Sequence, residues 1–336
     1  MSTGRSCVNS EIPLREDTLR LAREARCDQG THEVEVSFNA ESDLHHALIM
    51  CDKNPGHHNY TPVREISLDK FPECVQDIEV LEFIKIKAQE TVRLTCNVTS
   101  LARPEGYTFH NYRGSSMMRC GSGRVWGVFK DRIRTDIPCP FGDCQETKGP
   151  HTVSGYIKVH TAMHVIFDDA EAQSTLVDFF YDIPNDRSSV VTARGVQVVK
   201  SDVQGDYCII DCVTHDPDLC TTMDFIRQQW TSRWPQVEKV LYGNNVSVAI
   251  SHPHGCSKQF SIGTLIQREF KKVGSDQCWY KYTYKAATCP GCSGAPVWVS
   301  GGDGLPSSYA PHSGHEGNAV NRSTVWFLWK SGQEQI

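Results

Sequence analysis

The sequence predicts an all-β protein, and three observations support this fold class. From about residue 76 onward, short segments with alternating or β-branched apolar residues recur along the chain. Gly, Pro, Asn and Asp separate these segments, as in turns between strands. A single longer segment, residues 218–234, has apolar residues at helical spacing. Many short strands separated by turns are typical of β-barrels or of a β-sandwich.

The composition is that of an ordinary globular chain. The 336 residues are 39% apolar and 22% charged, which suits one large domain or one domain with an appended region. A net charge of −6 does not indicate nucleic-acid binding, which usually shows a basic surplus. No apolar run reaches the ~18 residues of a membrane span, and residues 1–26 are too charged for a secretory signal. We therefore expect an intracellular protein, in the cytoplasm or nucleus.

The fifteen cysteines allow two interpretations. In a secreted protein they would form a disulfide framework. In an intracellular protein they would be reduced, and many would be buried as small apolar side chains. Because residues 1–26 do not resemble a secretory signal, we expect reduced thiols.

Two regions of the chain differ in texture. Residues 1–90 are expected to form an N-terminal extension, helical at most over 1–35 and irregular over 40–75, where His, Pro, Asn and Asp are frequent. Strand-like segments begin near the end of this extension and continue along the chain. They are predicted at residues 78–86, 92–98, 124–129, 155–160, 175–181, 196–200, 206–212, 246–251, 279–284, 295–299 and 325–329.

A serine hydroxyl attacks a carbonyl group only with help. It needs an imidazole that takes its proton, a carboxylate that holds the imidazole, and N–H donors for the developing oxyanion. Residues 291–296 (Gly-Cys-Ser-Gly-Ala-Pro) resemble the Gly-x-Ser-Gly-x-Pro segment of the trypsin/chymotrypsin-like serine peptidases. The resemblance implies Ser293 as nucleophile and the N–H groups of Gly291 and Ser293 as oxyanion hole. Alternatively, the segment is only a Gly/Ser turn before a strand.

Two further segments resemble the same family. Residues 161–164 (Thr-Ala-Met-His) are similar to the Thr/Ser-Ala-x-His segment of its catalytic histidine, which implies His164 as the base. His160 is the competing candidate, but it precedes the Thr-Ala pair. Asp206 stands directly before an apolar strand, as the family's aspartate does, whereas Asp168 lies too close to His164 in sequence. The alternatives are a structural histidine and an ordinary strand-opening aspartate.

The chain order His164, Asp206, Ser293 is that of trypsin-type enzymes, with gaps of 42 (164 to 206) and 87 (206 to 293) residues. Segments near residues 121 and 250 also resemble the strands that open the two barrels of intracellular HtrA-like members. The similarity extends to viral 3C-like enzymes and to an invertebrate group. It implies two antiparallel six-stranded β-barrels over residues 91–336, with a small mixed extension over 1–90 that the resemblance does not cover.

One departure from the family concerns activation. In secreted trypsins an aspartate precedes the nucleophile and pairs with the ammonium group that zymogen cleavage creates. Here that position is Cys292, and a neutral thiol cannot form the ion pair. We therefore expect no activation by N-terminal trimming, and an oxyanion hole that is preformed or ordered by a partner. Cys292 is expected to be a packing residue, with an oxidisable regulator as the alternative.

A second departure concerns substrate selectivity. The residue six positions before the nucleophile, an aspartate in trypsin, is Ala287, so we do not expect a preference for Lys or Arg. Thr288 and His312 resemble the Thr/His pair of enzymes that accept Glu or Gln at P1, the residue before the cleaved bond. The resemblance implies Thr288, His312 and Gly314 as substrate-binding residues. In the alternative, His312 braces backbone and the pocket is apolar.

No cofactor is expected, because the serine mechanism needs none. Residues 139–144 (Cys-Pro-Phe-Gly-Asp-Cys), with Cys120 and His151 nearby, offer a weak zinc pattern, and a thiol-bearing loop is the alternative. The histidine pairs at 45–46 and 57–58 are surrounded by polar residues and are expected at the surface.

The sequence therefore predicts a serine endopeptidase that acts on protein or peptide substrates through an acyl-enzyme. Two alternatives stay open at this point. One is a pseudoprotease whose barrels serve as an interaction scaffold. The other is a latent protease that is switched on by oligomerisation or by the N-terminal region. The sequence leaves the oligomeric state open.

Overall fold

Two antiparallel sheets make up most of the structure, and short N-terminal elements precede them. The computed structural model describes residues 28–130, 155–273, 277–302, 307–317 and 319–329. The N-terminal elements are β1 (Thr31–His32), β2 (Glu35–Ser37), α1 (Glu41–Ile49), β3 (Thr61–Pro62) and α2 (Ile78–Glu90). Short 3-10 turns lie between α1 and α2, so residues 40–75 are partly helical as well as irregular.

The first sheet closes into a six-stranded barrel. Its strands are β4 (Thr91–Cys96), β5 (Met118–Lys130), β6 (Gly155–Ala162), β7 (Thr175–Phe179), β8 (Val191–Asp202) and β9 (Tyr207–Thr214). The order around the barrel is β5-β4-β7-β8-β9-β6, and β6 pairs back with β5. A short helix, α3 (Asp169–Gln173), precedes β7.

The second sheet closes in the same way. After helix α4 (Pro217–Leu241) come β10 (Val246–Ser251), β11 (Gln259–Val273), β12 (Gln277–Tyr284), β13 (Pro296–Val299), β14 (Ser308–Glu316), β15 (Val320–Ser323) and β16 (Trp326–Trp329). The order is β12-β15-β14-β13-β10-β11, with β11 pairing back to β12, while β16 and β3 add to the edges. Two closed six-stranded antiparallel barrels confirm the predicted chymotrypsin-like fold.

Each barrel has its own apolar core. The first is filled by residues such as Val92, Val159 and Ile210, and the second by residues such as Val248, Phe260 and Val297. The predicted helix at 218–234 is present in α4 and continues to Leu241. No helix in the described ranges is long and apolar enough to cross a membrane.

The strand predicted at residues 78–86 is wrong, because this segment is helix α2. The Asp77 side chain accepts a hydrogen bond from the Glu79 N–H at 2.7 Å and caps the first turn. The apolar residues of the helix face both the second barrel and α4, so most of its circumference is buried. Burial on several faces removes the 3.6-residue periodicity that identifies an amphipathic helix.

The N-terminal extension pairs with both barrels. Strand β1 is antiparallel to β14, β2 is antiparallel to β5, and β3 is antiparallel to β11. Since β14 belongs to the second barrel and β5 to the first, the residues between β1 and β2 cross from one barrel to the other. Because of this crossing, Glu33 lies next to Ser293.

Ten cysteines in the described ranges are free thiols, and nine of these are buried. The structure agrees with the expectation of reduced thiols at these positions. The weak zinc pattern at 139–144 and His151 lies outside the described residues. Cys120, which belongs to that pattern, is buried in β5 beside the Thr95 hydroxyl.

Candidate active site

Ser293 stands in a tight turn just before β13. Gly291 in this turn has φ 93°, and a Cβ atom at that position would lie 2.5 Å from the His252 carbonyl oxygen. Only glycine fits both the left-handed backbone and the close approach. On the other side, the Ser293 carbonyl oxygen accepts a hydrogen bond from the Ser122 N–H of the first barrel at 2.8 Å. The turn is therefore held between the two barrels.

Ser293, His164 and Asp206 form one chain of hydrogen bonds. Ser293 Oγ is 2.6 Å from His164 Nε2. His164 Nδ1 is 2.8 and 3.0 Å from the two Asp206 carboxylate oxygens. A carboxylate can only accept, so Nδ1 carries the hydrogen and Nε2 is free to accept the Ser293 proton. The structure thus brings together the three residues proposed from sequence, and all three are buried.

The Asp206 carboxylate is fixed by further donors. It accepts the backbone N–H of His164 at 3.1 Å and the hydroxyl of Ser313. Burial raises the pKa of Asp206, but His164 and the hydrogen bonds outweigh burial and lower the pKa to about 2. The carboxylate is therefore ionised at neutral pH and can hold the imidazole in one orientation.

The competing candidates point elsewhere. His160 is buried, and its Nδ1 is hydrogen-bonded to the hydroxyl of Tyr309 on β14 of the second barrel at 3.0 Å. The Asp168 side chain caps helix α3 by accepting the Glu171 N–H at 3.1 Å. Neither side chain takes part in the hydrogen-bond chain that contains Ser293.

The N–H groups of Gly291 and Ser293 converge on one oxygen atom. Both donate to the backbone carbonyl oxygen of Glu33, at 2.7 and 3.1 Å. The N–H group of Glu33 in turn donates to Ser293 Oγ at 2.9 Å. Residues of the N-terminal extension therefore fill the position that the sequence suggested for an oxyanion.

The backbone around Glu33 is extended and paired on both sides. In β1, Thr31 is opposite His315 and His32 is opposite Gly314, one of the residues predicted to bind substrate. In β2, Glu35 is opposite Cys120 of the first barrel. These pairings on either side place Glu33 beside Ser293, where its N–H group reaches the Ser293 hydroxyl.

The ring of His32 covers the imidazole of His164. Its ring stacks on His164 with 3.7 Å between the ring centroids and 10° between the planes. His32 Nδ1 is 2.6 Å from the Thr108 hydroxyl, and Nε2 is 3.0 Å from the Gln29 side-chain oxygen. These contacts fix the segment beside Ser293 and shield the hydrogen-bond chain from solvent.

The Glu33 side chain enters a pocket lined by His312 and Lys53. Its two carboxylate oxygens are 2.6 Å from His312 Nε2 and 2.6 Å from Lys53 Nζ. The Tyr284 hydroxyl is 2.6 Å from His312 Nδ1. If tyrosine donates to Nδ1, the hydrogen of a neutral imidazole is on Nε2 and is donated to Glu33.

The charges in this pocket are unequal. Burial raises the pKa of Glu33, but the hydrogen bond from His312 and the charge and hydrogen bond of Lys53 outweigh burial and lower it to about 2. Burial lowers the pKa of His312 and outweighs the opposite effect of Glu33. The pair therefore consists of an ionised carboxylate and a neutral imidazole, and Lys53 supplies the positive charge.

Thr288 does not contact Glu33 directly but contacts Lys53, which binds the Glu33 carboxylate. Its hydroxyl is 2.9 Å from Lys53 Nζ and 2.7 Å from the Asn321 side-chain oxygen. Thr288 was proposed as a substrate-binding residue together with His312. In the structure His312 contacts Glu33 directly, whereas Thr288 contacts the lysine that binds it.

Several residues at this site were missed in the sequence, among them Glu33, Lys53 and Ser313. Glu33 lies in an alternating segment after Gly30, a pattern that signals a strand but not its position. Lys53 is far from Ser293 in sequence, and no motif marks it. Ser313 follows His312 and could have been inferred only from its place on the same strand.

Cys292 packs beneath the nucleophile turn. Its thiol is 3.2 Å from the Ser251 hydroxyl, and its sulfur accepts the Cys289 N–H at 3.2 Å. Burial raises the pKa of Cys292 to about 11. A buried, protonated thiol is unreactive, which favours the packing role over the redox role.

No protein-family model and no curated protein matches the sequence. Solved structures that are similar include the active form of the Rv3671c protease from M. tuberculosis, at 14% identity and a TM-score of 0.38, over 76% of this chain and 82% of that one. The inactive form gives 15% and 0.35, over 76% and 90%. The HtrA-type protease AlgW with a decapeptide gives 12% and 0.36, over 77% and 64%. The strand pairings themselves define this chain as a protein of the trypsin-type two-barrel fold.

Proposed function

We propose that this chain is a serine endopeptidase that cleaves peptide bonds after glutamate. The observation that carries the proposal is that both the backbone carbonyl and the side chain of Glu33 are bound at the site. Its carbonyl oxygen accepts from the two N–H groups at Gly291 and Ser293, while its carboxylate is bound by His312 and Lys53. A reacting carbonyl and a recognised side chain are the two requirements of a P1 residue.

The mechanism follows from the hydrogen-bond chain. The Ser293 oxygen attacks the P1 carbonyl carbon while His164 Nε2 takes the hydroxyl proton, and Asp206 stabilises the resulting imidazolium. The carbonyl oxygen becomes the oxyanion, and each N–H donor is worth roughly 3 kcal/mol in the transition state. His164 then protonates the leaving amine, which leaves an acyl-enzyme on Ser293. Water, deprotonated by His164, hydrolyses this ester and restores the serine.

Selectivity for glutamate rests on charge. Lys53 and the neutral His312 both donate to the P1 side chain, and a charge-assisted hydrogen bond contributes about 1.5–3 kcal/mol. A lysine or arginine at P1 would meet Lys53 instead of an acidic group. Glutamine could keep the hydrogen bond from His312 but would lose the ion pair. We therefore narrow the Glu/Gln preference to ionised glutamate.

The first substrate is the chain itself. The bond between Glu33 and Val34 lies at Ser293 within one molecule, which gives intramolecular cleavage a high effective concentration. Cleavage would allow residues 1–33 to leave and open the cleft to other peptides. This route needs no ion pair at Cys292, and it replaces the expectation of no activation by N-terminal trimming.

Intact-mass measurement and N-terminal sequencing of the purified full-length chain test the proposal. Wild type is expected to accumulate a form that begins at Val34, and Ser293→Ala is expected to stay intact. Glu33→Ala should slow the cleavage at least tenfold, whereas the control Glu65→Ala, at an exposed site, should not.

The competing scaffold function makes the opposite prediction. If wild type and Ser293→Ala both remain intact, and a fluorophosphonate probe fails to label Ser293 in the Glu33→Ala chain, the site is not catalytic. The N-terminal segment would then be a permanent plug, and the barrels would serve as a binding scaffold.

A further inference from the structure

Four metal-ligating side chains meet behind the nucleophile turn. Cys51, His57, His254 and Cys289 each offer one ligand atom, and these four atoms all lie within 4.8 Å of one another. The two sulfur atoms are 3.5 Å apart, and Cys289 Sγ is 3.6 Å from His57 Nε2. In a tetrahedral zinc site with Zn–S near 2.3 Å and Zn–N near 2.0 Å, neighbouring ligand atoms are roughly 3.3–3.8 Å apart. Both separations fall in that range.

His254 is oriented as a zinc ligand would be. Its Nδ1 is 2.7 Å from a carboxylate oxygen of Glu35, so Nδ1 carries the hydrogen and donates it. Its Nε2 is then left with a lone pair, and this buried atom has no hydrogen-bond partner among the described residues. A carboxylate behind a histidine, with the other nitrogen free, is the arrangement that supports histidine ligands in zinc sites.

The two cysteines are also surrounded as thiolate ligands would be. The backbone N–H of Asn54 points to Cys51 Sγ at 3.4 Å, and the Asn54 side-chain amide points to Cys289 Sγ at 3.1 Å. Both cysteines are buried. N–H donors directed at sulfur favour the charged form of the thiol, since hydrogen bonds to ionised groups are the stronger ones.

The backbone is bent to bring the two histidines in. His57 has φ 51° and His254 has φ 54°, both in the left-handed region that costs energy for residues other than glycine. Such conformations persist where the surroundings fix them. His57 is half-buried rather than at the surface as expected, and its Nε2 lies 3.6 Å from Cys289 Sγ.

We propose that Cys51, His57, His254 and Cys289 bind one Zn²⁺ ion in a closed Cys₂His₂ site. Two thiolates and two imidazoles are the donor set that zinc prefers, and four protein ligands leave no position for substrate. Binding releases two thiol protons to solvent, and the two thiolates balance the charge of the ion. The site is therefore structural and replaces the expectation that no metal is bound.

The position of the site gives it a role. Two ligands come from the N-terminal extension, one from the turn at Pro253–Gly255, and one from the segment that leads to Ser293. Lys53 lies between the first two ligands in sequence, and the His254 N–H donates to the Pro290 carbonyl oxygen at 2.5 Å. Zinc would thus hold Lys53 in the glutamate pocket and brace the turn that carries the Gly291 N–H. The binding claim itself does not depend on the proposed peptidase activity.

Metal analysis of the full-length Ser293→Ala chain, produced with added zinc, tests the site. One zinc per chain is expected. Cys51→Ser and His57→Gln should each lower the zinc content more than tenfold and reduce the melting temperature. The matched controls, Cys74→Ser at an exposed cysteine and His58→Gln at the exposed neighbour, should retain one zinc.

A second measurement covers the case in which a variant fails to fold. Cobalt(II) added to the metal-free Ser293→Ala chain should give the visible bands of a tetrahedral site together with thiolate charge-transfer absorption. A cobalt spectrum without thiolate bands would overturn the proposal. So would a Ser293→Ala chain without zinc, zinc retained by Cys51→Ser, or a disulfide between Cys51 and Cys289 in the purified chain.

Discussion

Lys53 is the positively charged residue of the pocket that holds the Glu33 side chain. Among the residues that the structure describes, it contributes the one positive charge within hydrogen-bond distance of the Glu33 carboxylate, and Thr288 and Asn321 hold its ammonium group. The side chain is only 10% exposed, so its charge is weakly screened. His312 donates a hydrogen bond to one carboxylate oxygen of Glu33, whereas Lys53 places a positive charge beside the other.

Lys53→Met is therefore expected to remove the discrimination between glutamate and glutamine. The ratio of kcat/KM for Glu and Gln peptides should fall by about 10-fold or more, because a charge-assisted bond of about 1.5–3 kcal/mol is lost. Paired fluorogenic peptides measure this ratio. The control Lys85→Met, on the outer face of α2, should leave it unchanged, and an unchanged ratio in Lys53→Met would refute the role of the charge.

The Glu33 carboxylate also predicts a pH dependence. Its pKa is lowered from 4.5 to about 2 in the folded chain, so its stabilising effect is complete above about pH 4.5 and is lost as the pH falls through about 2. In the Ser293→Ala background, Glu33→Gln should lower the free energy of unfolding by up to about 3 kcal/mol at pH 6. Melting curves from pH 6 to pH 2 should show this difference shrinking toward zero. A difference that stays constant across that range would contradict the assignment.

The three residues of the hydrogen-bond chain were predictable from the sequence, whereas the contact between Lys53 and Glu33 was not. Ser293, His164 and Asp206 were found because each lies in a short local string with a chemical reason behind it. Lys53 and Glu33 contact each other only because the extension folds back across both barrels, and no local string encodes that path. Contacts between residues that are far apart in the sequence and belong to no motif could therefore not be predicted.

At the scale of elements, α2 is the clearest departure from expectation. Its β-branched, apolar stretch reads as a strand, yet Asp77 caps it and the barrel and α4 bury it on several sides. Inside this helix, Lys87 and Glu90 form a fully buried pair at 3.0 Å, and Arg124 lies 3.3 Å from the same carboxylate. The Lys87 ammonium also sits 3.6 Å above the Trp230 ring.

Glu90→Gln is expected to destabilise the protein by about 3–5 kcal/mol, because it leaves Lys87 and Arg124 buried without a counter-charge. The matched control is Glu82→Gln in the same helix, whose partner Lys85 is 3.4 Å away and 41% exposed. That change should cost no more than about 0.5 kcal/mol. Urea unfolding of both variants measures the contrast, and equal effects would show that the buried pair has no special weight.

The strands of the two barrels were predictable because each has a recognisable local sequence pattern. Alternating segments and turn residues gave most of the strands of β4 to β16, and the resemblance supplied their closure into two barrels. Strands β1, β2 and β3 contain only two or three residues each, so they are too short for a periodic signal. They form because longer strands are already there to pair with them.

At the scale of the whole molecule, the extension is both a part of the fold and an occupant of the cleft. Helix α2 completes the core of the second barrel, whereas residues 29–37 lie across the site and contribute pairing at its two edges. These two parts have different consequences. Removing residues 1–37 should open the cleft and keep the fold, since α1, β3 and α2 remain.

Hydrolysis of a peptide by this shortened chain, residues 38–336, tests the central claim most directly. The peptide carries residues 28–37, and mass spectrometry locates the cut. Cleavage is expected after the residue that corresponds to Glu33, with kcat/KM at least about 10³-fold above the Ser293→Ala form and about 10²-fold above a peptide with lysine at that position. No cleavage above the Ser293→Ala form by a folded chain, or equal cleavage of both peptides, would contradict the account.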